Sequence, residues 1–415
     1  MELFHIFSAI LVISAIFAYI NQKFIKLPGA IGLLMAGLLL SVLVQVLGEV
    51  SPGFEALVEG RLREIDFSEV LLEFMLSFLL FAGALHTDLE KLAAAKWPIL
   101  VFATIGVMIS TFMTGTAFYY LLQLFGQPIE YIYCLLFGAL ISPTDPIAVL
   151  GILKKAKIPK SLEVSITGES LFNDGVGVVV FLTIFQIAQQ GITNIESSFV
   201  VELFVKEVGG GIGLGLLIGY IAYHFMKRID HYQTEVLISL AVVMGGYSLA
   251  QQFHFSGPLA MVAAGLLIGN QGTQFAMSKI TADYLTKFWE MVDEVLNAVL
   301  FVLIGLELML IPFHTEYVLI GIITTVVVLV VRYIALAIPS YTLRFNRAFS
   351  PYTLPIMTWG GLRGGISIAL ALALTPVMHR ELIVAITYAV VLLSLTIQGL
   401  TIEPFIKRLS REVKA

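Results

Sequence analysis

Apolar runs long enough to cross a bilayer recur along nearly the whole chain, and few polar residues remain to coat anything else. A membrane-crossing helix needs about 20 apolar residues. Stretches of that kind are read at 3–21, 29–48, 69–86, 98–124, 131–151, 162–189, 199–226, 234–251, 258–270, 285–310, 316–343, 352–376 and 382–406, the ninth being short. Of 415 residues, 58% are hydrophobic and 13% charged, against about 25% charged in an average soluble domain. That balance excludes a soluble globule and a disordered chain. The formal net charge of −5 leaves no basic patch for nucleic acid. The chain reads as an all-α polytopic membrane protein with thirteen transmembrane helices.

Lysine and arginine test that count, because cytoplasmic loops hold most of them. If the first connection is cytoplasmic and the sides alternate, the cytoplasmic set runs from Lys23, Lys26, Lys91 and Lys96 through Lys154, Lys155, Lys157, Lys160, Lys227, Arg228, Lys279, Lys287, Arg344 and Arg347 to Lys407, Arg408, Arg411 and Lys414. That is 18 of the 24 basic residues; the other side has four, Arg61, Arg63, Arg380 and Lys206. The split places the N-terminus outside and the C-terminus, with a short tail at 407–415, in the cytoplasm. The opening MELFHIF lacks the basic start of a signal peptide, so the first apolar stretch is expected to be a retained helix. Cys134 is the single cysteine, which excludes a disulfide framework.

An odd number of spans suits two inverted six-helix repeats joined by a linking helix, which pairs span five with span twelve. In secondary transporters built this way, paired helices break near the midplane and form the site. Span five contains Ser142-Pro143-Thr144-Asp145-Pro146. Each proline removes a backbone donor, so the helix is expected to break, with Asp145 capping a second half-helix that starts at Pro146. The break would free backbone carbonyls, hard ligands for a small alkali cation. Span twelve contains Gly360-Gly361-Leu362-Arg363-Gly364-Gly365, whose glycines predict a second break. Discontinuous helices five and twelve are therefore expected to cross near the midplane.

Ionisable groups inside spans are costly and mark function by default. Span six carries Thr167-Gly168-Glu169-Ser170-Leu171-Phe172-Asn173-Asp174-Gly175. Glu169 and Asn173 share one helical face, and Ser170 and Asp174 another. The economical assignment gives Glu169 a cationic partner, Arg332 of span eleven or Arg363, and leaves Asp174 for a ligand.

At these residues the chain resembles the NhaP-type monovalent cation/proton antiporters of the Na+/H+ exchanger family. The matching pieces are Ser142-Pro143-Thr144-Asp145-Pro146, Gly168-Glu169-Ser170-Leu171-Phe172-Asn173-Asp174-Gly175, Arg332 and Gly361-Leu362-Arg363-Gly364-Gly365, and the resemblance covers essentially the whole chain. It implies a core of about 98–189 and 316–406 moving against a dimerisation scaffold of about 3–86 and 199–310. It further implies a homodimer in the cell (inner) membrane that exchanges Na+ or Li+, and in some relatives K+, for H+. By motif match Asp174 is the exchange carboxylate, and Thr144, Asp145, Ser170 and Asp174 form the cation site, with Asp174 and Asp145 carrying the proton. Glu169, Asn173, Arg332 and Arg363 would hold the site together, Arg332 being the favoured partner of Glu169. The Asn173-Asp174 pair resembles the electroneutral branch, which exchanges one cation for one proton. Where many relatives carry a glutamate near the end of span three, this chain has Ala82, and Glu73 lies nine residues away, on nearly the opposite face. The long cytoplasmic tail of the animal exchangers is not expected.

Exchange needs one carboxylate that accepts either a cation or a proton. Removal from water and a second carboxylate nearby both favour that competition. No cofactor and no enzymatic activity are expected: Ser170 has no histidine in sequence reach, and no filter-like repeat points to a channel. A symporter of another solute is the nearest competing reading. All seven histidines (His5, His86, His224, His231, His254, His314, His379) fall near span ends and read as interface residues without metal-ligand spacing. Asn297 and Glu307 in span ten read as packing groups. The glycine-rich Gly209–Gly215 lies inside an apolar span and reads as close helix packing, not nucleotide binding.

Overall fold

A computed structural model describes residues 2–50, 52–63, 66–145, 160–190, 197–311, 314–343 and 352–412. Among the described residues every regular element is helical. The order is α1 (Glu2–Ile20), α2 (Gly29–Val50), the short α3 (Pro52–Arg63), α4 (Phe67–Leu85), the short α5 (Leu89–Ala94), α6 (Lys96–Leu124), α7 (Tyr131–Ile141) and α8 (Lys160–Gln190). There follow α9 (Ser197–Met226), α10 (Tyr232–Gln252), α11 (Gly257–Leu267), α12 (Lys279–Glu307), α13 (Thr315–Thr342), α14 (Thr353–Trp359), α15 (Gly365–Leu372) and α16 (Arg380–Leu409).

Nine described helices are long and apolar enough to cross a membrane: α1, α2, α4, α6, α8, α9, α10, α13 and α16. The other apolar stretches of the sequence also carry helix. There α7 and α11 are only 11 residues each, α12 is more charged, and α14 and α15 are separated by a break. The short α3 and α5 have no counterpart in the hydropathy pattern, which is blind to helices that do not cross. Pro146 and the rest of span five to residue 151 lie outside the described residues, as do Lys154, Lys155, Lys157, Arg344, Arg347 and Lys414.

Local chemistry fixes the ends. Ser256 caps α11 by accepting from Leu259 N, with Pro258 in its first turn. Ser278 caps α12 through Thr281 N, and Asp88 caps α5 through Glu90 N and Lys91 N. All of α11 except its last residue, Leu267, is buried, as expected of a helix apolar on every side. It packs between α4 and α9, with the glycine-rich part of α9 against it. Asn270, just past α11, donates to Thr87 O at 2.9 Å and accepts from Leu89 N at 2.8 Å, tying that end to the turn after α4. Around these, α12 lies along α2 and α4, while α6, α7 and α8 pack together and α13 bridges α6 and α16.

Two helix breaks meet in the interior. Pro143 ends α7, and Ser142 Oγ turns back to donate to Gly138 O at 2.6 Å. The extended run after it lies against Gly360–Gly364, with Asp145 N donating to Leu362 O at 2.8 Å. Irregular backbone at membrane depth survives only when protein satisfies its polar groups. Here each break supplies partners for the other.

Candidate functional site

The site is built where α8 passes the two breaks. Glu169, Ser170, Asn173 and Asp174 lie within two turns of α8 and are all buried, as is Thr144 in the first break, while Asp145 is half-buried.

Arg332, from the middle of α13, donates Nη1 to Glu169 Oε1 at 2.7 Å and Nη2 to Glu169 Oε2 at 2.6 Å. This parallel fork is the strong form of the arginine–carboxylate contact. Asn173 sits beside it: its Nδ2 donates to Glu169 Oε1 at 2.9 Å and to Thr144 Oγ1 at 2.8 Å, and its Oδ1 accepts from Thr144 N at 3.3 Å. Those partners fix which end of the amide is nitrogen. Ser170 Oγ donates to Thr144 O. So α8 holds the first break through two of its side chains, Ser170 and Asn173, and Arg332 holds α8.

Arg363 goes elsewhere. Its Nη1 donates to Ser142 O at 2.6 Å and to Pro143 O at 2.9 Å, and its backbone N donates to Ser394 Oγ at 3.1 Å. A cation thus sits at the carbonyl end of α7, where the helix dipole is negative. Arg363 therefore takes one lone pair each of the Ser142 and Pro143 carbonyls, and Ser170 one of the Thr144 carbonyl. The pairing of Glu169 is resolved in the same stroke, with Arg332 as its partner and Arg363 serving the break.

Glycine leaves room where the breaks meet these groups. A Cβ on Gly361 would stand 2.9 Å from Arg332 Nε, and one on Gly364 would collide with the Asp145 carboxylate. Two glycines that the sequence marks only as a break therefore admit a cationic and an anionic side chain to the crossing.

Asp174 is arranged differently from its neighbours. It is buried, and its Oδ1 has no hydrogen-bond partner among the described residues. It lines a cavity of about 1120 Å³ that is also lined by Asp145 and extends to the exposed Lys26 and Lys91. A carboxylate in this setting is suited to hold a proton or a small cation. Thr144 Oγ1 and Ser170 Oγ each have two lone pairs, and neither residue is among those that line the cavity.

Sequence reading missed the opposite wall. Glu290, Asp293, Glu294 and Asn297 of α12 line the same cavity, with His86 at 3.8 Å from Glu290. Asn297 is therefore a cavity residue rather than a packing group, whereas Glu307 is not among the cavity residues. The signal was present: positions 290, 293, 294 and 297 fall on one helical face. At the span-three position of the relatives' glutamate, Ala82 is fully buried, and its carbonyl contacts His86 Nδ1 at 2.6 Å.

The family described as sodium/hydrogen exchanger, transmembrane, matches residues 11–408. The Na+/H+ antiporter NhaP of Pseudomonas aeruginosa is 49% identical over 407 residues, 97% of this chain and 96% of that one. The Na+/H+ antiporter NhaH of Halobacillus dabanensis is 35% identical over 397 residues, 93% of each chain. Among solved structures, the sodium proton antiporter MjNhaP1 from Methanocaldococcus jannaschii superposes with a TM-score of 0.79 over 98% of this chain and 99% of its own, at 20% identity, and so shares the fold. On the family match and these identities, the chain belongs to the sodium/hydrogen exchanger family.

Proposed function

We propose that the chain is a secondary-active Na+/H+ antiporter in which a sodium ion and a proton compete for Asp174. The observation that carries this reading is the Asp174 carboxylate itself, buried on α8, with Oδ1 unpartnered among the described residues, and set on a cavity wall shared with Asp145. Two carboxylates lining one cavity at membrane depth are costly to keep ionised together without a cation or a proton. Asp145 supplies the second charge and shares the proton, and Thr144 and Ser170 add neutral oxygens. Glu169 is already neutralised by Arg332, so one cation for one proton follows, an electroneutral exchange. The relatives' activity, Na+/H+ antiport, is carried over on these grounds. Li+ is a further substrate by size, and K+ is not favoured.

Thirteen crossings follow if α7, α11, α12 and the α14–α15 pair are added to the nine long helices. In this reading α9 links two inverted repeats. The groups α6 to α8 and α13 to α16 form a core that moves against α1 to α4 and α9 to α12, which dimerise in the cell membrane. Packing supports the division, because α12 lies along α2 and α4 while α13 bridges α6 and α16. The exposed apolar faces of α1 (Leu11, Val12, Ile16) and α9 (Leu216, Leu217, Tyr220) suit lipid or a second copy. With the N-terminus outside and the C-terminus in the cytoplasm, Lys26 and Lys91 put the cavity mouth on the cytoplasmic side.

The test is reconstitution into liposomes carrying an imposed proton gradient, followed by addition of Na+. Na+ is expected to collapse the gradient, and Asp174→Asn to abolish that response. Undiminished exchange by Asp174→Asn would sink the assignment. A rate that rises or falls steeply with a clamped membrane potential would rule out one-for-one exchange.

A further inference from the structure

On the α12 wall of the cavity, Asn297 is more than nine-tenths buried, and its amide orientation is fixed. Its Nδ2 donates to Asp293 O at 2.8 Å and to Asp293 Oδ1 at 3.1 Å. Turning the amide over would set its oxygen against two acceptors, so Oδ1 is the other end, and among the described residues it has no hydrogen-bond partner. A buried carbonyl oxygen left unsatisfied is destabilising. Beside it the Asp293 carboxylate has no described lysine, arginine or histidine at ion-pair distance. The charged groups that reach it are His86, Asp145 and Glu294. An unpaired carboxylate and an unsatisfied carbonyl, one helical turn apart on a cavity wall, are hard oxygen donors of the kind that bind monovalent cations.

From this geometry we infer a second monovalent-cation site at Asp293 and Asn297, facing the exchange site across the cavity, at which Na+ halts between the cavity mouth and Asp174. It rests on the antiport reading and extends it. Asp145 lines the same cavity as Asp174 and Asp293, so it lies on the wall that joins the two stations. Two weak sites in series let an ion enter and leave more easily than one tight site. Because α12 packs on α2 and α4 whereas Asp174 stands on α8, a displacement of one group against the other separates the two stations.

The test uses proteoliposomes with Na+ supplied on the cavity side and the external pH fixed. Asp293→Asn and Asn297→Ala are each expected to raise the apparent KM for Na+ by about 3- to 10-fold, the loss of one ligand, and to lower kcat by less. Unchanged KM in both variants overturns the site. A KM rise in Asp293→Asn that is absent from the charge-neutral Asn297→Ala also overturns it, in favour of long-range attraction by the carboxylate. Equilibrium binding of radiolabelled Na+ to monodisperse purified protein removes the dependence on turnover. Asp174→Asn is expected to retain weak binding that the added Asp293→Asn change removes; equal binding by the single and double variants overturns the site. A wild-type protein that shows no Na+-driven exchange fails the antiport reading instead, so the two failures are distinct.

Discussion

Arg332 and Glu169 meet through two parallel hydrogen bonds, Nη1 to Oε1 at 2.7 Å and Nη2 to Oε2 at 2.6 Å, with both side chains nearly sealed from solvent. They lie 163 residues apart in sequence, so the pair clamps α13 to α8. Removing one partner of a buried pair leaves an uncompensated charge and costs roughly 3–5 kcal/mol. Arg332→Ala is therefore expected to lower yield and thermal stability sharply. Arg332→Lys keeps the charge, loses the fork, and is expected to fall between. The check is the melting temperature of purified protein, and an Arg332→Ala protein as stable as wild type would contradict the role.

Asn173 is the next link inward. Its Nδ2 serves Glu169 and Thr144 together. Asn173→Asp replaces those donors with a carboxylate facing Glu169 Oε1, now an acceptor against an acceptor and a charge against a like charge. The expected outcome is a destabilisation of about 1–3 kcal/mol and a loosened Thr144. Protein that survives is expected to exchange Na+ with a raised KM. Melting temperature and the Na+ dependence of proton exchange measure the two effects separately.

How much of this was legible in the sequence differs from residue to residue. The apolar runs and the lysine bias are one-dimensional signals, and they located the long helices. Glu169, Asn173 and Asp174 were legible because charge inside an apolar run is costly wherever it occurs. The choice between Arg332 and Arg363 was not, because it depends on which helix passes α8 and which passes the end of α7. Asp293 and Asn297 were hidden for another reason. In a helix with acidic residues toward one end, a polar face looks like a face on headgroups or loops, and only the fold turns it toward a cavity. The binding of the Ser142 and Pro143 carbonyls by Arg363 was equally illegible, since free carbonyls are a property of a broken helix and their partner comes from 220 residues away.

Gly364 gives a prediction confined to the site. Its backbone angles, φ −122° and ψ −160°, suit any residue, so Gly364→Ala introduces no backbone strain. The atoms nearest the added Cβ all belong to Asp145. The expected result is a protein that folds with near-normal stability and loses about tenfold or more in apparent Na+ affinity, since misplacing one charged ligand costs on the order of 1.5–3 kcal/mol. Normal affinity in Gly364→Ala would show that the position of Asp145 does not limit cation binding.

The ion pair at the cavity mouth has a defined pH behaviour. Lys91 beside Asp88 holds that carboxyl below its ordinary 3.8, and Asp88 holds the Lys91 amine above its ordinary 10.5. A lowered acid loses its contribution only as pH falls through its folded value, and a raised base only as pH rises through its own. Both groups therefore stay ionised throughout the neutral range. Being exposed, the pair contributes little to stability. Asp88→Asn is expected to leave the midpoint of the exchange pH profile in place, and a displaced midpoint would implicate this pair in pH control.

Orientation is testable through cysteine chemistry, because the one native cysteine, Cys134, is fully buried. Glu294 is exposed and lines the cavity, and Glu130 is exposed beside His379 at 3.5 Å, near the far ends of α6 and α13. The lysine bias assigns these two positions to opposite sides of the membrane. Glu294→Cys is expected to react with a membrane-impermeant maleimide in inside-out vesicles and not in right-side-out ones, and Glu130→Cys the reverse. Added Na+ is expected to slow labelling at Glu294→Cys, which stands one residue from Asp293, and to leave Glu130→Cys unaffected. Labelling of both positions from the same side would break the alternation of spans on which the cytoplasmic cavity, and with it the direction of cation entry, depends.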